Sequence, residues 1–243
     1  MKEIVEIIRR SRQGVTLPYI CKAGDDNIYF VKGKGAGRRS LICEWIASNL
    51  ALRFGLPIAS FEIVSVPEEL IEADPVSYGD LGAGFAFASM ERNSAELSYS
   101  NVEEVPLQLQ QDLIVFDWWI RNGDRTLSPL GGNPNLLWEP STKELIVIDH
   151  NQAFDFQLAK SVFYDSHVFA RSTDSLSGDF MRRAEYNARL ADTLSHLENI
   201  VTSIPLSWWY LDHECTVRID FDIFEVESLL ECYKTENFWK RHE

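Results

Sequence analysis

The stretch Asn122–Asp149, NGDRTLSPLGGNPNLLWEPSTKELIVID, governs how the rest of the chain is read. An acidic loop residue, Asp124, precedes two apolar runs: Leu136-Leu137-Trp138, opened by Asn135, and Leu145-Ile146-Val147-Ile148, closed by Asp149. Between them Glu139-Pro140-Ser141-Thr142-Lys143 has the Pro and small polar residues of a turn, so the spacing predicts an antiparallel hairpin pairing 135–139 with 145–149. In that register Asn135 lies beside Asp149. An amide oxygen and a carboxylate at one open end, with a carboxylate just upstream, are what a magnesium–nucleotide phosphoryl-transfer site needs: two hard oxygen ligands and one group to orient an attacking hydroxyl. Asn and Asp also cap loops at ordinary strand ends, so the remainder of a phosphate site has to be found elsewhere in the chain.

With 243 residues the chain can bury a substantial core, as one large domain or as two lobes. A hydrophobic content of 45% and an aromatic content of 12% belong to a folded globule. The formal net charge of -14 repels phosphate backbones and argues against general nucleic-acid binding, though a local basic patch can still hold one nucleotide. Cys21, Cys43, Cys215 and Cys232 form no CxxC pair and read as buried or incidental thiols in a reducing compartment. The start MKEIVEIIRRSRQ lacks the apolar core of a signal peptide, and no later run approaches membrane-spanning length; the expectation is a cytoplasmic protein without a membrane partner.

Two β-prone runs, Val15–Lys22 and Ile28–Gly33, flank the turn Ala23-Gly24-Asp25-Asp26-Asn27 and predict a hairpin with Lys32 at the end of its second strand. Lys34-Gly35-Ala36-Gly37-Arg38-Arg39 follows. It is not a Walker A loop, because arginines stand where Gly-Lys-Ser/Thr is required. From Arg39 to Phe54, apolar residues at helical spacing end at Gly55 and Pro57. Glu44 shares a face of this helix with Ser40, Ser48 and Ala51, small neighbours that allow close approach to a sheet, and Lys32 is its expected partner. Such a pair would grip nucleotide phosphates through the lysine; in isolation, either residue is more simply read as solvated.

The order strand-Lys32, helix-Glu44, loop-Asp124, strand-Asn135, strand-Asp149 resembles the HipA-like kinase domain. The residues that carry the resemblance are Phe30-Val31-Lys32, Glu44-Trp45-Ile46-Ala47 running into Gly55-Leu56-Pro57, Asn122-Gly123-Asp124-Arg125-Thr126, Asn133-Pro134-Asn135-Leu136-Leu137-Trp138, and Ile148-Asp149-His150. It spans about Gly14 to Phe154. The resemblance implies an α+β, bilobal, protein-kinase-like fold, with a small β-rich N-lobe at 1–91 and a mostly helical C-lobe at 92–243. It also implies that Lys32 binds ATP phosphates, Glu44 is its helix partner, Asp124 is the catalytic base, and Asn135 and Asp149 are Mg2+ ligands. Asn133 is a rival to Asn135, because Leu127–Gly132 reads as an insertion; Asn135 is preferred since Leu136-Leu137 continue directly into the strand. No glycine-rich loop is present, only Ser11-Arg12-Gln13-Gly14.

Elsewhere Phe61–Val66 reads as a strand, Pro67–Gly84 as a loop or insertion, and Phe85–Met90 as a strand that by analogy leads to the adenine-binding hinge. A helix is expected from Pro106 to Arg121, with Leu109, Leu113, Phe116 and Ile120 on one stripe and Asn122-Gly123 as its terminator. Asp112 and Asp117 on this helix are explained by solvation or a local pair, Trp118 and Trp119 by core packing, and His150 by structural hydrogen bonding. His167 carries no usable signal. Helices are expected at about 176–203 and 221–240.

The expected activity is γ-phosphoryl transfer from ATP with Mg2+ to a protein Ser/Thr. The resemblance suggests a toxin–antitoxin, growth-control or defence setting, with an antitoxin or regulatory protein as partner. The alternatives are a kinase-fold module that binds nucleotide or a partner without turnover, and a small-molecule or lipid kinase, which the Asp124-Arg125 pair favours.

Overall fold

Inward-pointing small and β-branched residues on five strands build the core of the first of two units. The computed structural model describes residues 1–11, 17–173, 176 and 179–240. The chain divides into a unit of Met1–Trp45, Ala59–Asn93 and Ser203–Phe221, and a unit of Ile46–Ile58, Ser94–Thr202 and Asp222–Glu243.

In the first unit β1 (Lys2–Arg10), β2 (Tyr19–Ala23), β3 (Ile28–Lys32), β4 (Phe61–Val66) and β5 (Gly84–Met90) close into a barrel in the order β1-β2-β3-β5-β4. β1 runs antiparallel to β2 and parallel to β4. The opening segment is thus a barrel strand. Ile4, Ile7, Tyr19, Cys21, Tyr29, Val31, Val64, Val66, Ala86 and Ala88 form its core. Alanines at two of the β5 positions take little room in so small a barrel.

Helix α1 (Arg38–Phe54) follows β3 through the short 3-10 turn Lys34–Ala36. The turn is tight: a Cβ on Gly33 would lie 2.0 Å from the carbonyl oxygen of Leu81, so only glycine fits there. The expected Pro67–Gly84 loop is instead two short helices, α2 (Glu68–Ala73) and α3 (Pro75–Tyr78). Glu68 and Glu69 sit in the first turn of α2, and Asp74 caps α3 by accepting from the Ser77 N–H, with Pro75 in its first turn. Leu70, Ile71 and Tyr78 then pack against the barrel core. Arg12-Gln13-Gly14, in the segment that stands where a glycine-rich loop is lacking, and Val15-Thr16, the start of the expected first hairpin strand, lie outside the described residues.

The second unit is built on α4 (Leu107–Trp119), which follows the two-residue strand β6 (Ala95–Glu96). Gln111 and every residue from Leu113 to Trp119 are buried, so α4 is a central helix rather than one with a single apolar stripe. It ends in a Schellman motif: the Asn122 N–H donates to the Asp117 carbonyl (2.8 Å) and the Arg121 N–H to that of Trp118 (3.3 Å). The left-handed residue is therefore Arg121 (φ 52), not Gly123. Its guanidinium lies 3.4 Å from the centre of the Trp118 ring, a cation–π contact that offsets the backbone strain. A Cβ on Gly123 would meet Leu158 Cδ1 at 2.7 Å, the end of a side chain that can turn aside.

Next come the hairpin β7 (Thr126–Ser128) with β8 (Gly131–Asn133), which occupies the insertion, and the hairpin β9 (Leu136–Glu139) with β10 (Glu144–Val147). In the latter, Leu136 pairs with Val147 and Trp138 with Leu145, one position away from the expected register, so Asn135 faces Ile148 rather than Asp149. The observed register puts Leu136, Trp138, Leu145 and Val147 together in the core, and that burial selects it. The remaining helices are α5 (Lys160–Ser166), α6 (Phe180–Leu194), α7 (Leu197–Thr202), α8 (Ile223–Leu230) and α9 (Glu236–Trp239). The two long C-terminal helices of the sequence reading are thus each broken, the first at Ser195-His196 and the second by a 3-10 turn at Glu231–Lys234. Among the described residues no helix is long and apolar enough to cross a membrane.

Candidate active site

In the first unit Lys32 at the end of β3 meets Glu44 on α1, with Nζ 2.7 Å from Oε2. Both side chains are buried, at 9% and 3% exposure. Ser48, one turn beyond Glu44, and Ala47 are buried as well, so this part of the helix has no long side chain to hold the carboxylate away from the strand.

The second unit gathers Asp124, Asn133 and Asn135. Both asparagine amides donate to the same carboxylate oxygen, Oδ2 of Asp124, at 3.1 Å from Asn133 and 3.0 Å from Asn135. Oδ1 accepts no hydrogen bond from the described residues. The carboxylate is thereby fixed in orientation with one oxygen left for another donor, the arrangement required of a group that aligns a hydroxyl. The rivalry between Asn133 and Asn135 takes a structural form: both hold Asp124, but only Asn135 continues into the β9–β10 hairpin.

Asn135 (φ 48) and Asp149 (φ 57) both have left-handed backbones, immediately outside the paired strands. Asn and Asp tolerate this conformation better than other residues with a Cβ, but it is still strained, and such strain concentrates at functional positions. The Ile148 N–H donates to the Asn135 carbonyl (3.1 Å), so Asp149 follows directly on the residue facing Asn135. Asn135 has committed its amide nitrogen to Asp124, which leaves the amide oxygen as the atom it can offer a cation. Among the described residues no group of three or more His, Cys, Asp and Glu could hold a metal unaided. One amide oxygen and one carboxylate instead fit Mg2+ carried by a nucleotide, which completes its shell with phosphates and water.

Beneath these residues lies a buried network that sequence reasoning missed. Arg125 and Asp117 are both fully buried, with Nε 2.8 Å from Oδ2. The Arg125 Nη1 group donates to the backbone carbonyls of Pro134 (3.2 Å), Asn135 (2.6 Å) and Ile148 (3.3 Å). Asp117 also accepts from the Asn122 amide at 3.0 Å and from His167 Nε2 at 3.1 Å. The Phe169 N–H donates to His167 Nδ1 at 3.1 Å, which identifies Nε2 as the protonated nitrogen of a neutral ring. Burial pushes the Asp117 carboxyl up, but the Arg125 guanidinium and the His167 N–H outweigh burial and hold it below the usual carboxylate range. Burial pushes His167 down, against the pull of Asp117. A signal for Asp117 existed, a lone carboxylate inside the apolar run Leu113–Ile120, which only a partner makes tolerable. His167, 50 residues away, had none. His150 is buried, with Nδ1 3.4 Å from the Ser48 hydroxyl and its ring edge-on to Phe116, a structural role.

A comparison with family models matches residues 4–242 to the HipA-like kinase model. No curated protein matches. Among solved structures, the crystal structure of a Helicobacter pylori proinflammatory kinase, CtkA, is similar at 12% identity with a TM-score of 0.42, covering 95% of this chain and 92% of that chain. Since the family match takes in nearly the whole sequence and every residue of the site, the chain belongs to the HipA-like kinase family.

Proposed function

We propose that this kinase transfers the γ-phosphoryl group of ATP, with Mg2+, to a serine or threonine of a protein substrate. The observation that carries the reading is the Asp124 carboxylate, held through one oxygen by Asn133 and Asn135 and open at the other, at the foot of a hairpin that ends in Asp149. In this reading Lys32 offsets phosphate charge and Glu44 fixes its ammonium. Asn135 and Asp149 supply the oxygens for the cation, and Asp124 aligns the acceptor hydroxyl and takes its proton. When bound, Mg2+ neutralises phosphate charge that develops during transfer. Positioning and electrostatics of this kind account for most of the catalysis in phosphoryl transfer.

The resemblance further supports a cytoplasmic growth-control, toxin–antitoxin or defence role with a regulatory protein partner. A second reading, nucleotide binding without transfer, is favoured by the β7–β8 hairpin inserted between Asp124 and Asn135. The two are separated by incubating cell lysate with γ-labelled ATP, Mg2+ and either the natural chain, Asp124→Ala or Asp149→Ala, followed by phosphoamino-acid analysis. Labelled phosphoserine or phosphothreonine that disappears in both variants supports the kinase. Nucleotide binding without labelling supports the binding module, and label in a lipid or small molecule moves the acceptor class.

A further inference from the structure

We propose that Arg125 is a positioning residue for the divalent cation, locked in place by Asp117 and His167. The inference rests on the assignment of Asn135 and Asp149 as cation ligands. Its basis is where the guanidinium binds. One nitrogen, Nη1, reaches the carbonyl of Asn135, which bears one ligand, and that of Ile148, the residue before the other. These carbonyls sit on opposite strands just beyond the last regular pair, Leu136 with Val147. The two ligand-bearing residues have left-handed backbones there, so regular ladder geometry does not fix their direction. The cross-strand hydrogen bond from Ile148 to Asn135 and the shared guanidinium are what hold that end closed.

Arg125 itself is fixed from the far side. Asp117 binds Nε, and Asp117 is in turn held by Asn122 and His167. The Arg125 carbonyl also accepts the Val168 N–H at 3.1 Å. Asp117 lies on α4, so the hairpin end is referenced to the buried central helix of its unit. The arrangement is not one that stability alone would select. Nη2 of Arg125 and Oδ1 of Asn122 are buried with no hydrogen-bond partner among the described residues, and an apolar cluster of equal volume would avoid both defects. What an apolar cluster could not do is hold two carbonyls through Nη1 while Nε of the same rigid group is fixed on Asp117. Outer-shell hydrogen bonds of this kind typically change metal affinity by about 10–100-fold when removed.

The test is Mn2+ binding to the full chain in the presence of ADP, read from the loss of the free Mn2+ paramagnetic resonance signal, with ADP binding in EDTA measured in parallel. Arg125→Lys keeps the charge but loses the rigid link between Asp117 and the two carbonyls. It is expected to weaken Mn2+ binding by about tenfold or more, to leave metal-free ADP binding unchanged, and to regain transfer activity as Mg2+ is raised. His167→Leu removes one support of Asp117 while leaving Arg125 in place, and serves if Arg125→Lys does not fold; a severalfold weakening is expected. A folded variant with Mn2+ affinity equal to the natural chain overturns the proposal. A natural chain that binds ADP but no Mn2+ overturns the underlying ligand assignment, and the proposal falls with it.

Discussion

Replacing Lys32 by Met leaves the carboxylate of Glu44, whose side chain is 3% exposed, without the ammonium 2.7 Å away. At that distance the Coulomb attraction is about 6 kcal/mol for an effective dielectric constant near 20. Much of it is cancelled by the desolvation both groups have already undergone. Breaking such a pair from one side therefore costs about 3–5 kcal/mol, because a buried charge loses its compensation. Removing both charges with apolar groups of similar volume, as in Lys32→Met with Glu44→Met, restores stability to within about 1 kcal/mol of the natural chain. A double-mutant cycle by urea denaturation, followed by tryptophan fluorescence, reads the difference as a coupling of about 3 kcal/mol or more. A coupling under about 1 kcal/mol, the range of exposed pairs, refutes the buried pair and with it the geometry that holds the lysine. The double variant also separates stability from function: it folds as well as the natural chain, yet loses the group proposed to hold ATP phosphates.

Three further outcomes follow from the same structure. Because burial lowers His167 from its ordinary value of 6.5, its contribution to stability is complete above pH 6.5 and is lost as pH falls from there toward its folded pKa. Asp117, also lowered, gives way only below its ordinary value of 3.8. Unfolding free energies from urea denaturation at pH 7.5, 6.0 and 5.0 should fall for the natural chain by up to about 1.4 kcal/mol per pH unit from this one proton, and His167→Asn, less stable at pH 7.5, should show a shallower fall. Gly33→Ala drives a Cβ into the backbone at Leu81 and should cost about 2 kcal/mol or more in the same assay; a loss under about 0.5 kcal/mol would mean that the turn relaxes easily. Burial pushes the Cys21 and Cys43 thiols up to about 12, so mass mapping of native protein treated with iodoacetamide at pH 8 should find both unmodified while the more exposed Cys215 reacts.

Local patterns carried much of the fold. Helix α1 and strand β4 are legible because the periodicity lies within each segment and a stop follows it, Gly55 and Pro57 after α1 and Pro67 after β4. The pairing of β9 with β10 was legible too, but its register was not, because the turn alone permits both alternatives and the choice between them is made by which side chains the core accepts. The composition of Pro67–Gly84 suggests a loop, but Glu68, Glu69 and Asp74 are helix-terminal groups, and Leu70, Ile71, Tyr78 and Leu81 pack on the barrel. Lys32, Glu44, Asp124, Asn135 and Asp149 could be picked out by their order along the chain. Arg125 was noticed only as the neighbour of Asp124, since its three backbone acceptors come from two strands that sequence does not juxtapose. Ser203–Phe221, which groups with the first unit, gave no local sign of doing so. Its anchor is long-range, the Trp208 indole N–H donating to the Phe85 carbonyl at 3.1 Å.

The most direct measurement is transfer of γ-labelled phosphate by the natural chain and by Asp124→Asn, with Mg·ATP binding measured on the same preparations. The proposed role of Asp124 predicts label on protein serine or threonine with the natural chain. It predicts unchanged binding but at least about a hundredfold slower transfer for Asp124→Asn, the scale of a lost general base. Equal transfer rates in the two proteins would contradict it.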